Sequence, residues 1–253
     1  MGCLKPQHLL YKTINPKPSS SSSSLFPCRP LPLLHPNFFP STSTVRTTTT
    51  STASSSSSYN VTFKTRKSCK LGISIFPDFD YNAESGSGSG LGSSSTTKTS
   101  AVDRIDDKNG TTQLSVMFDA QRLYIPPMSF NTARFLGLPL PPFLRIDIVP
   151  EALYGTIDRE SGEIELNFKA EFWFSVGTVY KAPPMLVDTV LTTEESRGKM
   201  RGGKGERMQK DGSCRLVGIA TVDPIDDVFM DTFLGLPTEC LAVLNAVIAF
   251  SDA

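Results

Sequence analysis

A mainly β fold, an antiparallel curved sheet or small barrel of about seven strands with one or two short helices, is what this sequence predicts. Three observations predict it: a run with a strict period of two, a Gly-containing turn just ahead of that run, and no long helical periodicity between the strand candidates.

In the run, Ile164, Leu166, Phe168, Ala170, Phe172 and Phe174 alternate with Glu165, Asn167, Lys169, Glu171 and Trp173. Successive side chains of a strand point to opposite faces, so this pattern describes one buried face and one wet face. Asp158 to Gly162 ahead of it suits a hairpin turn in which Gly supplies positive φ, so Glu151 to Ile157 should pair with it antiparallel. The other strand candidates are Gln113 to Phe118, Arg122 to Ile125, Phe143 to Val149, Met185 to Thr193 and Cys214 to Val222, each bounded by Pro, Gly or Asp. Pro224 to Leu234 suits a short helix with early acids and Gly235 past its end. Thr238 to Phe250 fits a helix or a buried strand, and is too short to span a bilayer as a helix. The pentapeptide Phe-Leu-Gly-Leu-Pro occurs at 135–139 and again at 233–237. The plain reading is two helix ends with a left-handed Gly; the sharper one is paired loops framing a site or a membrane-facing rim.

The charge distribution divides the chain. No Asp or Glu precedes Asp78, while nine of the 25 Lys and Arg do, so the formally neutral chain is nine charges positive up to Pro77 and nine negative after it. The leader is also rich in hydroxyls, with Ser19 to Ser24, Thr47 to Thr50 and Ser54 to Ser58. Residues 1–70 are therefore expected to be a disordered plastid transit peptide, cleaved between Lys64 and Leu71. A secretory core is broken at Pro32 and Pro36, Arg is too sparse for a mitochondrial helix, and Pro6 spoils a myristoylation signal. Residues 71–110, with Gly86, Gly88, Gly90 and Gly92 alternating mostly with Ser, are expected to be a flexible linker, leaving 111–253 as a single β-rich domain.

Chemistry is sparse in that domain. Both histidines, His8 and His35, lie in the leader, which removes Ser-His and Cys-His catalysis and imidazole metal ligation within the domain. Cys214 and Cys240 lack metal or redox spacing and suit core packing, with a disulfide switch between them left open. Asp147, Glu151, Glu165, Glu171, Asp188, Asp223, Asp226 and Asp227 offer carboxylates, but only Asp147 and Asp188 sit in apolar runs where a perturbed group would be sought. Gly198 to Lys204 imitates a P-loop, yet Gly205 stands where Ser or Thr must bind magnesium, and the segment leads into a strand rather than a helix. What remains is a charged loop, expected to be a solvated disordered tip, whose Arg197, Lys199, Arg201, Lys204, Arg207 and Lys210 are the candidate anion contacts.

The composition points to a non-catalytic chloroplast protein, stromal or peripheral on a thylakoid or envelope membrane. It would bind an apolar ligand such as lipid, pigment or isoprenoid, or dock on a membrane complex. The Pro-rich rims Ile125 to Met128 and Leu138 to Phe143 would border the cavity. No cofactor or metal, no transmembrane segment and no nucleic-acid partner is expected, the last because the domain is acidic. The alternatives are a carboxylate-dependent enzyme on a lipid-like substrate, with Tyr124, Tyr154 or Tyr180 assisting, and an RNA or anionic-lipid binder acting through the basic 197–210 loop.

Overall fold

The computed structural model describes residues 58–94 and 113–252, and these form fifteen strands, one α-helix and one 3₁₀ turn. In chain order the strands are β1 Ser58–Thr65, β2 Cys69–Ile73, β3 Phe79–Tyr81, β4 Ser87–Ser94, β5 Gln113–Phe118, β6 Ala133–Phe135, β7 Leu138–Pro139, β8 Leu144–Asp158, β9 Ile164–Val176, β10 Tyr180–Lys181, β11 Met185–Thr192, β12 Glu195–Arg197, β13 Gly202–Lys204, β14 Ser213–Val222 and β15 Thr238–Asp252. The helix, α1, is Val228–Leu234.

Eight of these strands close a ring in the order β1, β4, β5, β8, β9, β11, β14, β15, with β15 returning to β1 from Tyr59↔Asp252 to Thr65↔Ala246. Every pairing around it is antiparallel, so the expected curved antiparallel sheet is a closed barrel. Its longest ladder is the β8–β9 hairpin, where Asp158 Oδ1 accepts the amides of Glu160 and Ser161 and Gly162 turns the chain at φ 74°. Phe143 to Val149 and Glu151 to Ile157 are one strand, β8, with a bulge between Pro150 and Ala152, where Pro150 has no amide to donate. On β9 the alternation holds: Ile164, Leu166, Phe168 and Ala170 are buried in the barrel core and Glu165 is exposed. Thr238 to Phe250 is strand, part of β15, because it pairs with β14 on one side and with β1 and β2 on the other.

Three expectations on chain organisation are corrected. The folded unit does not begin at residue 111: β1 lies inside the segment expected to be transit peptide, and burying Val61, Phe63 and Thr65 makes it a wall of the barrel. Cleavage between Lys64 and Leu71 would remove that wall. The segment 71–110 is not a linker throughout, since it supplies β2, β3 and β4. In β4 the glycines are the inward positions: a Cβ on Gly88 would meet Leu123 at 2.6 Å, and one on Gly90 would meet the Met117 carbonyl at 2.2 Å. Arg122 to Ile125 is not a strand, because Asp119 captures the Gln121 amide and winds Ala120–Arg122 into the 3₁₀ turn, leaving Tyr124 in a single bridge to Ser87.

One end of the barrel is covered by α1. Met230 and Leu234 enter a second apolar cluster with Met185, Val187, Ala220 and Val222. Gly235 ends the helix in the left-handed region, as the second Phe-Leu-Gly-Leu-Pro copy predicts. The first copy is instead the β6–β7 hairpin turn, with Leu136 and Gly137 at positive φ.

Candidate functional site

The barrel core is incompletely filled. Between Phe63 on β1, Phe168 and Phe172 on β9, Val187 and Leu191 on β11 and Ala220 on β14 lies a cavity of about 60 Å³ with an almost wholly apolar lining. That is several times the ~10–15 Å³ one water requires, but a water there would find no polar partners. The polar side chains of the wall are spent on the wall itself. Thr65 donates to the Ala83 carbonyl, Tyr81 to that of Pro126, and Thr189 to that of Ile219 at 2.8 Å. Burial drives the Tyr81 hydroxyl far above its usual range, so it stays a neutral donor.

The Thr189 bond bridges the weakest seam of the ring. β11 pairs with β9 along all eight of its residues, but with β14 only at Thr192↔Val217. From that point toward α1 the two strands stay adjacent without further ladder rungs, and Thr189, Leu191, Gly218 and Ala220, which line the cavity, face each other across the seam. A strand pair without its ladder is held by side chains alone, and this is where the wall opens at least cost.

At the covered end, Asp227 caps α1 by accepting the Met230 amide at 2.9 Å and also accepts the Tyr180 hydroxyl at 2.7 Å. Asp231 accepts the Ile225 amide and folds the approach to the helix back on itself. Burial and the hydrogen bond to Asp227 push Tyr180 up to about 12, while the same bond and the Met230 amide hold Asp227 below its ordinary value.

The 197–210 loop is folded, which corrects the disordered-tip reading. β12 and β13 form a hairpin across β14 and β15, with Gly203 within reach of Val217 and Leu241. The buried carboxylate of Glu239 receives the amides of Lys199, Met200 and Arg201 at 2.6–3.0 Å, which lowers its pKa. Arg201, with a side chain only 11% exposed, binds Asp78 at 2.6 Å and the carbonyls of Ile73, Ser74 and Phe76. Arg197 pairs with Glu195 and Arg207 with Glu194 and Glu163. Lys204 stands opposite Glu195 in the hairpin, and Lys210 is exposed in the next turn. The six cations expected to meet an anion therefore do not converge.

The carboxylates do not converge either. Asp147 pairs with Arg145, Glu151 with Lys169, and Glu171 accepts from Trp173, all on the outer wall, where Glu165 and Asp188 are exposed. Asp223 and Asp226 are exposed near α1, and Tyr124 and Tyr154 face solvent. No Asp or Glu lines the cavity, and among the described residues no group of three or more His, Cys, Asp or Glu is placed to hold a metal ion. Cys214 and Cys240 are opposite Ala246 and Ala220, six rungs apart along the β14–β15 ladder, or about 20 Å at ~3.3 Å per residue, so they cannot bond. Burial pushes their thiols up to about 12 and about 11, which makes both inert.

These ion contacts predict an acid limit to stability. Glu239 and Asp227 have ordinary values of 4.5 and 3.8 and are lower in the folded protein. Their contribution is therefore complete above about pH 5 and is lost as the pH falls through the depressed values. Urea midpoints should be flat from neutral pH down to that point and then drop, and Glu239→Gln should lower the neutral midpoint and shrink the drop. In the same assay Arg201→Ala should cost about 1.5–3 kcal/mol by stranding a carboxylate and three carbonyls. Lys210→Ser should cost under about 0.5 kcal/mol, and equal effects of the two would contradict a folded hairpin. In comparison with known proteins, the chain matches no family model, no curated protein and no solved structure.

Proposed function

We propose that the protein binds the apolar end of one slender molecule inside the barrel and performs no chemistry on it. The observation that carries this is the cavity itself: a closed eight-stranded ring whose interior retains about 60 Å³ of empty space with hardly a polar atom in its lining. Small barrels of this strand number hold either packed side chains or one small ligand. The volume selects among the apolar candidates. It lies well below the ~150 Å³ of an apolar cavity that accepts benzene, so it takes only the narrow end of an acyl or isoprenoid chain, and the rest of such a chain, like a broad pigment ring, would have to part the strands. Any polar head of the ligand stays outside, because the inner hydroxyls already have partners. The β11–β14 seam, where the ladder is missing beside the cavity, is the proposed route in.

Filling the space tests this. Ala242 lines the cavity, and Ala242→Leu places added carbons where there is void. The full chain should enhance the fluorescence of a polyene fatty acid at one-to-one stoichiometry, and Ala242→Leu should abolish the enhancement while holding the thermal midpoint. Absence of binding by the unaltered chain, or equal binding by the variant, contradicts the proposal.

The address is proposed on the leader's composition: acid-free, basic and hydroxylated, it suits chloroplast import, with processing ahead of Ser58 so that β1 is kept. A fluorescent reporter carrying residues 1–57 should enter isolated chloroplasts and become protected from protease; continued protease sensitivity contradicts it.

A further inference from the structure

The barrel is polarised along its axis. At the end away from α1 the turns carry Asp158, Arg159, Glu160, Glu163, Glu194, Arg207, Lys210 and Asp211. At the α1 end the exposed side chains include six large apolar ones: Ile75, Phe143, Val179, Val228, Phe229 and Phe233. They come from four separate segments, yet contacts join them into one surface. Phe143 accepts the Gly177 amide beside the Val179 turn, Tyr180 meets Phe229 edge-on at 5.6 Å, Phe229 stacks on Phe233 at 5.8 Å, and Phe233 lies 5.3 Å from Phe76, next to Ile75. The tip of the β12–β13 hairpin, held by Arg201 to the carbonyls of 73–76, adds exposed Met200 to the same rim.

We propose that this end docks on an uncharged lipid bilayer surface, with α1 lying in the interface. Charge is what selects the lipid. The acids of this end are largely spent inside the fold, Asp78 on Arg201, Asp227 and Asp231 on amides at the start of α1, and Glu239 on the hairpin amides. Asp223 and Asp226 remain exposed, and against them stand the exposed Lys199, next to Met200, and Lys181, which lies over Trp173, so the described charges at this end roughly balance and do not favour anionic headgroups. α1 is apolar on both sides, with Met230 and Leu234 packed inward and Val228, Phe229 and Phe233 left outward, so its outer side offers hydrocarbon to the bilayer. Trp173, on the outer wall just behind the rim, carries Lys181 over its ring at 4.4 Å, a pairing suited to headgroup depth. A contiguous apolar surface built from several loops is uncommon on a protein that meets only water.

The test is sedimentation of the full chain with phosphatidylcholine vesicles. Ile75, Val179 and Val228 are 83%, 92% and 84% exposed, so changing all three to Asp should leave the thermal midpoint in place. The unaltered chain should sediment with the vesicles and stay bound in about 1 M NaCl, where screening acts within about 3 Å. The triple variant should lose at least tenfold in bound fraction, and Val179→Asp alone should already weaken binding. Docking is independent of the cavity, so Ala242→Leu should bind vesicles like the unaltered chain. Failure of the unaltered chain to sediment, its release by salt, or undiminished binding of the triple variant would overturn the proposal.

Discussion

The pairing of β1 with β15 is the constraint on which the rest of the structure depends. Seven rungs from Tyr59↔Asp252 to Thr65↔Ala246 join the first described strand to the last, and they turn an open sheet into a ring with no free edge at this seam. Closure is what makes Phe63 a wall residue beside Phe168 and gives the cavity an inside. β2 continues the same wall toward α1, pairing with Cys240 to Val243 after a break at 66–68. Asn245 bridges that break by donating to the carbonyls of Lys67 and Ser68, so β15 is covered along its whole length by two strands far apart from it in sequence.

With the ring closed, the two faces of β15 have different fates. Ala242, Leu244, Ala246 and Ile248 face the barrel core, while Leu241 faces outward under the β12–β13 hairpin. The hairpin is held by ionised groups in sheltered positions, Glu239 and Arg201, each meeting several backbone partners. Such groups strongly penalise any arrangement that strands them. The partners of Arg201 lie on the β2–β3 turn beside α1, so hairpin, turn and helix form one brace around the apolar end. The β11–β14 seam, by contrast, lacks its ladder and is the compliant part of the wall.

Where side chains carried the pattern, the fold was legible in the sequence. β5 has the expected bounds, β9 keeps its alternation, and α1 stops at Gly235 as its composition requires. β4 was not legible because its inward residues are glycines: Gly88 and Gly90 alternate with outward Ser87, Ser89 and Leu91 at the period of a strand, but with nothing apolar to reveal it. β1 was masked by the acid-free composition that it shares with the leader, although Tyr59, Val61, Phe63 and Thr65 do alternate. The charged loop looked flexible because the partners of Arg201 lie more than 120 residues away. The cavity depends on a ring closure that no local pattern encodes.

The account stands or falls on β1 being part of the barrel. Its most direct test compares a chain beginning at Ser58 with one beginning at Arg66, by urea unfolding followed with circular dichroism. The account predicts that the chain from Ser58 unfolds in a single transition at the midpoint of the full chain. It predicts that the chain from Arg66, with β4 and β15 left unpaired along the seam, loses that transition. A chain from Arg66 that unfolds cooperatively at the same midpoint would contradict it.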